Sequence, residues 1–340
     1  MKDFAGKVAF ITGGAAGAGL GYAQIFSEAG MKVVIGDYRE DHLADAKEYF
    51  KDKDAQVHFI KLDVSDRDSY AAAADETEKV FGVPDLLILN AGVNVFGPAE
   101  ASTYDDFDWV GGVCYGGVVN GLVTFVPRMI KAGPGRHIAA TVSWGAFGSG
   151  PVTAPYSAAK AAALNLLESY WIALKPYGIG VSAIVPANIR SKIYEAATIG
   201  RPEQYGNTGY NVSDDTQKLL AGIHANGMDP RVLADWLKKG IEDDIFLVVP
   251  YEHGTRMVEL ALERFKYYTT PEGLKAWAEK QAAPPTEEEM MLNAEREGYS
   301  FDPKKRSEPP KRSGAPMKDV GFAKARGDID WISDSKKHKG

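Results

Sequence analysis

Cysteine and histidine are scarce in this 340-residue chain. There is a single cysteine, Cys114, which excludes an internal disulfide and suits a reducing compartment. The six histidines are scattered and none has a neighbour at the spacing of a metal site, so we predict that the protein holds no metal. The net charge of −7 argues against nucleic acid as a partner, because nucleic-acid-binding surfaces are basic.

Long apolar runs are missing as well. No run reaches the length needed to span a bilayer, and the first predicted strand begins at Lys7, which leaves no room for a signal peptide. We therefore expect a cytoplasmic protein with no membrane partner. The chain is 45% hydrophobic, so it can bury a full core.

Short apolar, β-rich runs alternate with periodic helical segments over the first 250 residues. Strands are predicted near 7–12, 32–36, 57–61, 85–89, 136–142, 180–185 and 245–249, with helical segments at 66–81, 104–131 and 156–177 among those between them. Such alternation predicts an α/β fold, a Rossmann-type doubly wound parallel β-sheet with helices on both faces. Ligands of such sheets bind at the carboxyl ends of the strands.

Composition shifts toward the carboxyl terminus predict further segments. We expect one domain over 1–250 that includes a substrate lid at 188–228, then a helical extension at 251–282 and a polar, basic tail at 283–340. Residues 303–340 hold eleven Lys/Arg and five Asp/Glu, a net charge of +6, which leaves −13 on the rest of the chain. The tail is either a flexible terminus or an arm that docks on the acidic body of its own or a neighbouring subunit, with Trp331 and Ile332 as anchors.

A glycine-rich turn between the first strand and the first helix indicates a phosphate site. The turn reads Thr12-Gly13-x-x-x-Gly17-Ala18-Gly19. Backbone amides without side chains can approach a pyrophosphate there, and the dipole of the helix favours the negative charge. The alternative is a glycine-rich turn that binds no ligand. It is the weaker interpretation, because the motif lies between a strand and a helix, as a phosphate site requires.

The end of the second strand indicates which dinucleotide binds. Asp37 follows the glycines by about 20 residues, where a carboxylate can bind the adenosine ribose hydroxyls and would repel a 2′-phosphate. No basic residue occupies Ala15, Ala16 or Tyr38, so NAD is favoured over NADP. Arg39 could in principle reach a phosphate, but we interpret it as a solvated surface residue.

Tyr156 and Lys160 form the strongest candidate acid/base pair. They stand four residues apart at the start of a predicted helix, so both side chains project from one face. The cation should favour the phenolate and move the phenol pKa from about 10 toward neutrality. Ser143 lies thirteen residues upstream, at the end of a predicted strand. The three residues together are a more specific signal of a catalytic site than the spacing of Tyr156 and Lys160 alone.

These motifs, in this order and together with Asn90-Ala91-Gly92, resemble the short-chain dehydrogenase/reductase (SDR) family over about residues 5–250. A closer resemblance is to bacterial C-alpha dehydrogenases, which oxidise the benzylic alcohol of lignin-derived β-aryl ethers. It rests on the segments 1–4, 91–94, 103–109, 125–130 and 186–189. The resemblance implies an NAD-dependent alcohol dehydrogenase that forms a homodimer or homotetramer.

The resemblance also implies roles for individual residues. Tyr156 would be the base for the alcohol proton, Lys160 would lower its pKa and bind the nicotinamide ribose, and Ser143 would hydrogen-bond the substrate oxygen. The implied cofactor-binding residues are Thr12, Gly13, Gly17, Ala18, Gly19, Asp37, Asp63, Val64, Asn90, Ala91, Gly92, Tyr156, Lys160, Ile189 and Ser191. Ile189 and Ser191 match the segment that orients the nicotinamide amide. Asp63 and Val64 should meet the adenine, although Asp63 could instead be a helix cap.

Cys114 is the one departure from the family pattern. It stands where the family has an asparagine that helps to hold a water in a proton relay, and a thiol is a poor substitute for an amide. Three alternatives follow: water and backbone complete the relay, turnover is slow, or the protein is a pseudoenzyme that binds NAD without much catalysis. We interpret Cys114 itself as a small buried apolar residue rather than a reactive thiol.

Aromatic side chains fall in the segments expected to border the substrate pocket. The candidates are Phe96, Trp144, Phe147 and Tyr194, with Tyr205 and Tyr210 in the same lid segments. Aromatic walls suit bulky or aromatic substrates, so the expected substrate is a hydrophobic or aromatic secondary alcohol or its ketone. A steroid or terpenoid alcohol is the alternative substrate.

Overall fold

The computed structural model describes residues 1–53, 56–210 and 213–297 and confirms the predicted fold class. Its strands are Val8–Thr12 (β1), Lys32–Asp37 (β2), Val57–Lys61 (β3), Leu86–Leu89 (β4), Arg136–Thr141 (β5), Ile179–Ile184 (β6) and Leu247–Val248 (β7). They form one parallel sheet in the order β3-β2-β1-β4-β5-β6-β7. The order reverses direction at β1, so the carboxyl ends of β1 and β4 flank a crevice of the kind in which doubly wound folds bind ligands.

Helices connect the strands at close to the predicted positions. They are Gly17–Glu28 (α1), Glu40–Phe50 (α2), Arg67–Val80 (α3), Tyr104–Gly111 (α4), Gly117–Ala132 (α5), Ala154–Leu174 (α6), Asp214–Ala225 (α7), Pro230–Glu242 (α8), Gly254–Glu263 (α9), Pro271–Ala282 (α10) and Glu287–Glu297 (α11). The segment predicted at 104–131 is interrupted by a π-helical turn, Gly112–Gly116, that joins α4 to α5.

The two faces of the sheet are covered by different helices. Successive side chains of β1 therefore pack against different helices, because they point to opposite faces of the sheet. The ring of Phe10 lies 4.8 Å from that of Phe125 on α5, on one face. Its neighbours Ala9 and Ile11 belong to the core of the other face, with Tyr22 of α1. All of β1 is buried because a parallel strand between two helical layers has no solvent face. Each large apolar side chain buried in this way contributes roughly 1.5–3 kcal/mol.

The continuous helical stretch from α4 to α5 corrects one sequence expectation. Tyr104–Ala132 is long and apolar enough to cross a membrane by length and composition, with a mean hydropathy of 1.4. Half of its most apolar window is buried inside the fold, where Leu122 and Phe125 are in the core. Its apolar character is therefore explained by packing against the sheet.

The predicted lid segment leaves the sheet after β6 and returns at α8. Its two ends are joined where Met228 donates to Asn188 O at 2.9 Å and Arg190 donates to Met228 O at 3.0 Å. Between them lie short 3₁₀ and π turns and α7. The two ends of the lid are thus tied to each other at its base.

The carboxyl-terminal part of the described chain adds α9, α10 and α11. Leu292 of α11 is buried and packs with Tyr251 and Met257, so a helix lies beyond the predicted boundary at 283. Trp331 and Ile332, the predicted anchors, lie outside the described residues. The domain boundaries and the two alternatives for the tail stay predictions.

The contact between α1 and α8 generates a stability prediction. A Cβ on Gly21 would lie 2.4 Å from Pro230 O and 2.5 Å from Pro230 C, which are backbone atoms at the start of α8. Gly21→Ala should therefore lower the free energy of unfolding by about 1–3 kcal/mol, since α8 must move to admit the methyl group. Urea unfolding measures the change.

Gly222→Ala on α7 is the matched control. A Cβ there meets nothing within 4 Å, so the better helix propensity of alanine should stabilise this variant by up to about 1 kcal/mol. Equal effects of the two substitutions would contradict the proposed steric conflict at Gly21.

Candidate active site

A cavity of about 860 Å³ opens at the carboxyl edge of the sheet. Most of the predicted site residues line it, although they come from seven separate parts of the chain. They are Gly13, Gly17, Ala18, Asp37, Asp63, Val64, Asn90, Ala91, Gly92, Ser143, Tyr156, Lys160, Ile189 and Ser191. The structure therefore brings together the glycine turn, the strand ends and the Ser143–Tyr156–Lys160 trio.

The glycine turn has the open backbone that a pyrophosphate requires. Gly17 has a φ of +50°, and a Cβ on it would lie 3.1 Å from the Cβ of Ser191 across the cavity. Ala16, the N-cap of α1, offers no side-chain acceptor to the first amides of that helix. These amides and the positive end of the helix dipole fit a dinucleotide pyrophosphate.

Two members of the glycine motif act behind the cavity wall. A Cβ on Gly19 would lie 2.0 Å from Gly13 O, so Gly19 allows the helix to approach its own turn. Thr12 is buried, and its Oγ1 accepts hydrogen bonds from the amides of Asn90 and Ala91 at 2.9 and 3.1 Å. Thr12 thus joins β1 to the loop after β4.

Asp37 presents a partly satisfied carboxylate to the cavity. Its Oδ2 accepts from the Ala15 amide at 3.1 Å and its Oδ1 from the Arg39 amide at 3.0 Å. Burial raises the pKa of Asp37 above its ordinary value, and these two hydrogen bonds oppose that rise. The remaining lone pairs can accept from a ribose diol.

Arg39 lies at the surface as interpreted, but its side chain is paired rather than freely solvated. Its side chain is only 18% exposed and binds Asp41 through Nε at 3.0 Å and Nη2 at 2.5 Å. Its Nη1 also lies 3.7 Å from a carboxylate oxygen of Glu195. Because its donors face two carboxylates, Arg39 is poorly placed to attract a 2′-phosphate.

Asp63 is not a helix cap. The cap of α3 is Asp66, which accepts from the amides of Asp68 and Ser69 at 2.8 and 2.9 Å. Asp63 instead accepts from the amide and hydroxyl of Ser65 while it lines the cavity beside Val64. Its predicted contact with adenine stays a prediction.

The trio of Ser143, Tyr156 and Lys160 converges from β5 and α6. Lys160 is 3% exposed, donates from Nζ to Thr141 O at 2.8 Å, and lies 5.6 Å from the centroid of the Tyr156 ring. Ser143 comes two residues after β5, and its Oγ accepts from the Gly145 amide at 3.1 Å. The trio forms the floor of the cavity next to Gly92.

The expected lowering of the phenol pKa is absent. Burial raises the pKa of Tyr156 above its ordinary value, and the nearby Ser143 hydroxyl lowers it by less. Burial likewise lowers the pKa of Lys160. The physical reason is desolvation, which disfavours both charged forms, while the ammonium is directed at Thr141 O rather than at the phenol.

Cys114 occupies the π-helical turn and is fully buried. Its Sγ donates to Val93 O at 3.2 Å and accepts from the Val93 amide at 3.4 Å. Burial raises the pKa of the thiol, which is therefore neutral. Cys114 therefore holds the backbone of the loop after β4. A thiol can do this because it both donates and accepts a hydrogen bond.

A buried ion pair fixes the lid over the site. Asp106 of α4 accepts from Arg201 Nη1 at 2.6 Å, and the two side chains are 0% and 5% exposed. Arg201 also donates to Tyr205 O at 2.9 Å, and its guanidinium lies 5.2 Å from the centre of the Trp109 ring. Because Trp109 and Tyr205 line the cavity, the ion pair supports one of its walls.

Only part of the predicted aromatic wall faces the cavity. Phe96, Trp144 and Tyr205 line it. Phe147 instead packs behind Trp144, with ring centres 5.6 Å apart, and Tyr194 stacks on His224 at 5.8 Å. Tyr210 is buried beneath the loop at Gly97. Phe147 and Tyr194 are therefore not among the residues that line the cavity, and their part in the substrate pocket stays a prediction.

Sequence reasoning missed a second group of lining residues. Leu220, Ile223 and His224 lie on one face of α7, and Arg296 lies at the end of α11. The i, i+3, i+4 spacing on α7 indicates that this helix has an apolar face. The spacing does not indicate that this face lines the cavity. Within the described residues, no three or more His, Cys, Asp or Glu side chains are grouped to hold a metal ion.

Comparison with known proteins identifies the family. A family model described as short chain dehydrogenase matches residues 7–201. The chain belongs to this family. A protein from Sphingobium sp. strain SYK-6 named C alpha-dehydrogenase is 50% identical over 252 residues, which are 74% of this chain and 82% of that protein. As a member of the family, the protein is an oxidoreductase.

Solved structures support the same assignment. The apo form of LigD from Sphingobium sp. strain SYK-6 is 43% identical, with a TM-score of 0.65, and the match covers 79% of this chain and 100% of that one. A short chain dehydrogenase/reductase from Burkholderia phymatum, solved in complex with NAD, is 29% identical, with a TM-score of 0.73, and the match covers 80% and 98%.

The Asp106–Arg201 pair generates a pH-dependent stability prediction. Burial alone would raise the pKa of Asp106, but hydrogen bonds from Thr103 and Arg201 lower it below its ordinary value. Its contribution is thus present above the unfolded pKa of about 3.9 and is lost as the pH falls through the folded pKa. Asp106→Asn should cost about 3–5 kcal/mol of unfolding free energy near neutral pH, and the difference from wild type should shrink below about pH 4.

Urea unfolding of both proteins at neutral and acidic pH measures this difference. Asp108→Asn, an exposed position on the same helix, is the control and should change stability little. A loss in Asp106→Asn that does not depend on pH would show that the carboxylate charge is not what holds the lid.

A third prediction concerns Cys114. Cys114→Asn should lower the melting temperature and leave kcat no higher than wild type, because a longer polar side chain must enter a fully buried site. Cys114→Ser is the control, since it keeps the size and can make both hydrogen bonds to Val93. Melting and initial rates are measured together. A higher kcat in Cys114→Asn, most of all at low pH, would instead indicate an impaired proton relay.

Proposed function

We propose that the protein is an NAD-dependent dehydrogenase that interconverts a bulky aromatic secondary alcohol and its ketone, with oxidation of a lignin-type benzylic alcohol favoured. The observation that carries the proposal is the continuity of one cavity. It runs from Asp37 past Ser143, Tyr156 and Lys160 to a wall that contains Phe96 and Trp144. A dinucleotide and an aromatic alcohol can therefore meet at the trio.

Two features support NAD over NADP. Asp37 brings a carboxylate to the end of β2, where it can accept from both ribose hydroxyls and would repel a 2′-phosphate. Arg39, two residues further along the chain, is paired with Asp41 and close to Glu195. The similar protein from Burkholderia phymatum was solved with NAD.

The residues of the trio have distinct tasks in this proposal. Bound NAD supplies the acceptor for the carbinol hydride. Ser143 hydrogen-bonds the substrate oxygen, and Tyr156 takes the hydroxyl proton as the hydride leaves. Lys160 holds the cofactor ribose and keeps a positive charge near the phenol. Tyr156 must be ionised to take this proton, and burial opposes that ionisation because it raises the pKa of the phenol.

The substrate assignment rests on the cavity wall and on one relative. Aromatic rings from the loop after β4, from the loop after β5 and from the lid line the cavity that also holds Tyr156. The name C alpha-dehydrogenase of the 50% identical protein fits oxidation at a carbon next to an aromatic ring. A steroid or terpenoid alcohol remains the second substrate class that such a wall could hold.

The pseudoenzyme alternative rested on Cys114. The thiol fixes Val93 without displacing Tyr156 or Lys160, so we prefer a working dehydrogenase. A homodimeric or homotetrameric assembly and a cytoplasmic location stay predictions, as do the absence of metal, nucleic-acid and membrane partners.

Initial rates of the purified protein with aryl and steroid alcohols, each with NAD and with NADP, test the proposal. We expect oxidation of aryl secondary alcohols, with kcat/KM for NAD at least about tenfold above that for NADP, as the loss of one charge-assisted hydrogen bond predicts. Tyr156→Phe should abolish turnover, because the ring stays and the acid/base group is lost, while the Kd for NAD stays nearly unchanged. A preference for NADP, or turnover by Tyr156→Phe, would refute the assignment of Asp37 or Tyr156.

A further inference from the structure

His42 is a largely buried histidine beside Asp37, and the proposed function leaves it unused. It belongs to the first turn of α2, lines the cavity, and has a side chain that is 17% exposed. Its Nδ1 lies 3.9 Å from Oδ1 of Asp37, too far for a hydrogen bond but close enough for the two charges to interact. Its Nε2 is shielded from solvent and has no hydrogen-bond partner in the described part of the chain.

The ring of His42 lies among charged groups from three parts of the chain. They are Asp37 of β2, Arg39 and Asp41 at the start of α2, and Lys192 of the lid. Arg39 and Asp41 bind each other, which raises the pKa of the guanidinium and lowers that of the carboxyl, so both stay charged at moderate pH. Burial lowers the pKa of His42 below its ordinary value, and Asp37 opposes this by less. The ring is therefore neutral near neutral pH.

The protonation state of His42 sets the charge of this corner of the cavity. While the ring is neutral, the Asp37 carboxylate accepts from a ribose diol and repels a phosphate on that ribose. A protonated ring offsets the carboxylate, and both of its nitrogens become donors. A phosphate on the ribose bound by Asp37 lies within reach of His42, because the two side chains are neighbours at the cavity wall.

We propose that His42 sets the selectivity between the two dinucleotides, and that NADP binds together with a proton on this ring whereas NAD does not. The inference rests on the proposed function, since it takes Asp37 as the acceptor for the adenosine ribose. The 2′-phosphate of NADP carries nearly two negative charges near neutral pH and favours a cation beside it. The protein therefore prefers NAD at neutral pH, and its discrimination against NADP weakens as the pH falls.

Dissociation constants for NAD and NADP, measured by titration calorimetry from about pH 8 to about pH 5.5, test the proposal, because this range spans the ordinary pKa of histidine. His42→Gln stays polar and neutral throughout. As the pH falls, the Kd of NADP for wild type should decrease about tenfold more than the Kd for His42→Gln, the effect of one charge-assisted hydrogen bond. The Kd of NAD should change little in either protein.

Two other groups titrate toward acidic pH, and the comparison of the two proteins removes their effect. The 2′-phosphate has a pKa of about 6, and burial raises the pKa of Asp37, but both groups are present with wild type and with His42→Gln. His58→Gln is the matched control. His58 lies on β3, which pairs with β2, and it binds Glu76 and is not among the residues that line the cavity. This variant should keep the wild-type pH profile.

The remaining outcomes overturn the proposal in different ways. Parallel changes of the NADP Kd in wild type and His42→Gln would show that the ring takes no part in selectivity. Failure of wild type to bind NADP even at about pH 5.5 would show that a protonated ring does not offset Asp37. An equal change in the Kd of NAD would make the effect of His42 independent of the phosphate. If the protein binds NAD but oxidises no alcohol, the proposed function fails, while the same Kd values still decide this inference.

Discussion

The amide of Asn90 is the contact on which the geometry of the site depends. It donates to Thr12 O and Gly13 O at 3.1 and 3.0 Å and accepts from the Thr141 hydroxyl at 3.0 Å. One side chain therefore joins the ends of β1, β4 and β5 at the point where the strand order reverses. Thr141 O in turn accepts from Lys160, so the same network that closes the glycine turn also fixes the ammonium.

This arrangement explains why the sequence predicts the fold and the core of the site so well. The strands are short apolar runs bounded by turns, and each motif directly follows one of them, so the parallel sheet brings Asp37, Asn90 and Ser143 to one edge. The local sequence pattern is enough in these cases. Once the strands pair in parallel, the hydrogen bonds between them bring the residues that follow each strand to the same edge of the sheet.

Where prediction failed, tertiary environment decided the outcome. The spacing of Tyr156 and Lys160 predicts that both lie on one face of a helix. It does not reveal that burial outweighs their attraction, or that Thr141 O accepts a hydrogen bond from the ammonium. The sequence does not show that Arg39 also approaches Glu195, because that carboxylate is distant along the chain. Phe147 and Tyr194 lie in the correct loops, yet the rotation of each ring is set by neighbours that no local pattern contains.

The helix α11 has a consequence for the order in which the protein is completed. Its Leu292 packs on Tyr251, and Arg296 and Glu297 at its end line the same cavity as the glycine turn after β1. During synthesis the sheet can form long before these residues leave the ribosome. The glycine turn thus exists early, whereas the cavity acquires its full wall only when nearly 300 residues have been made.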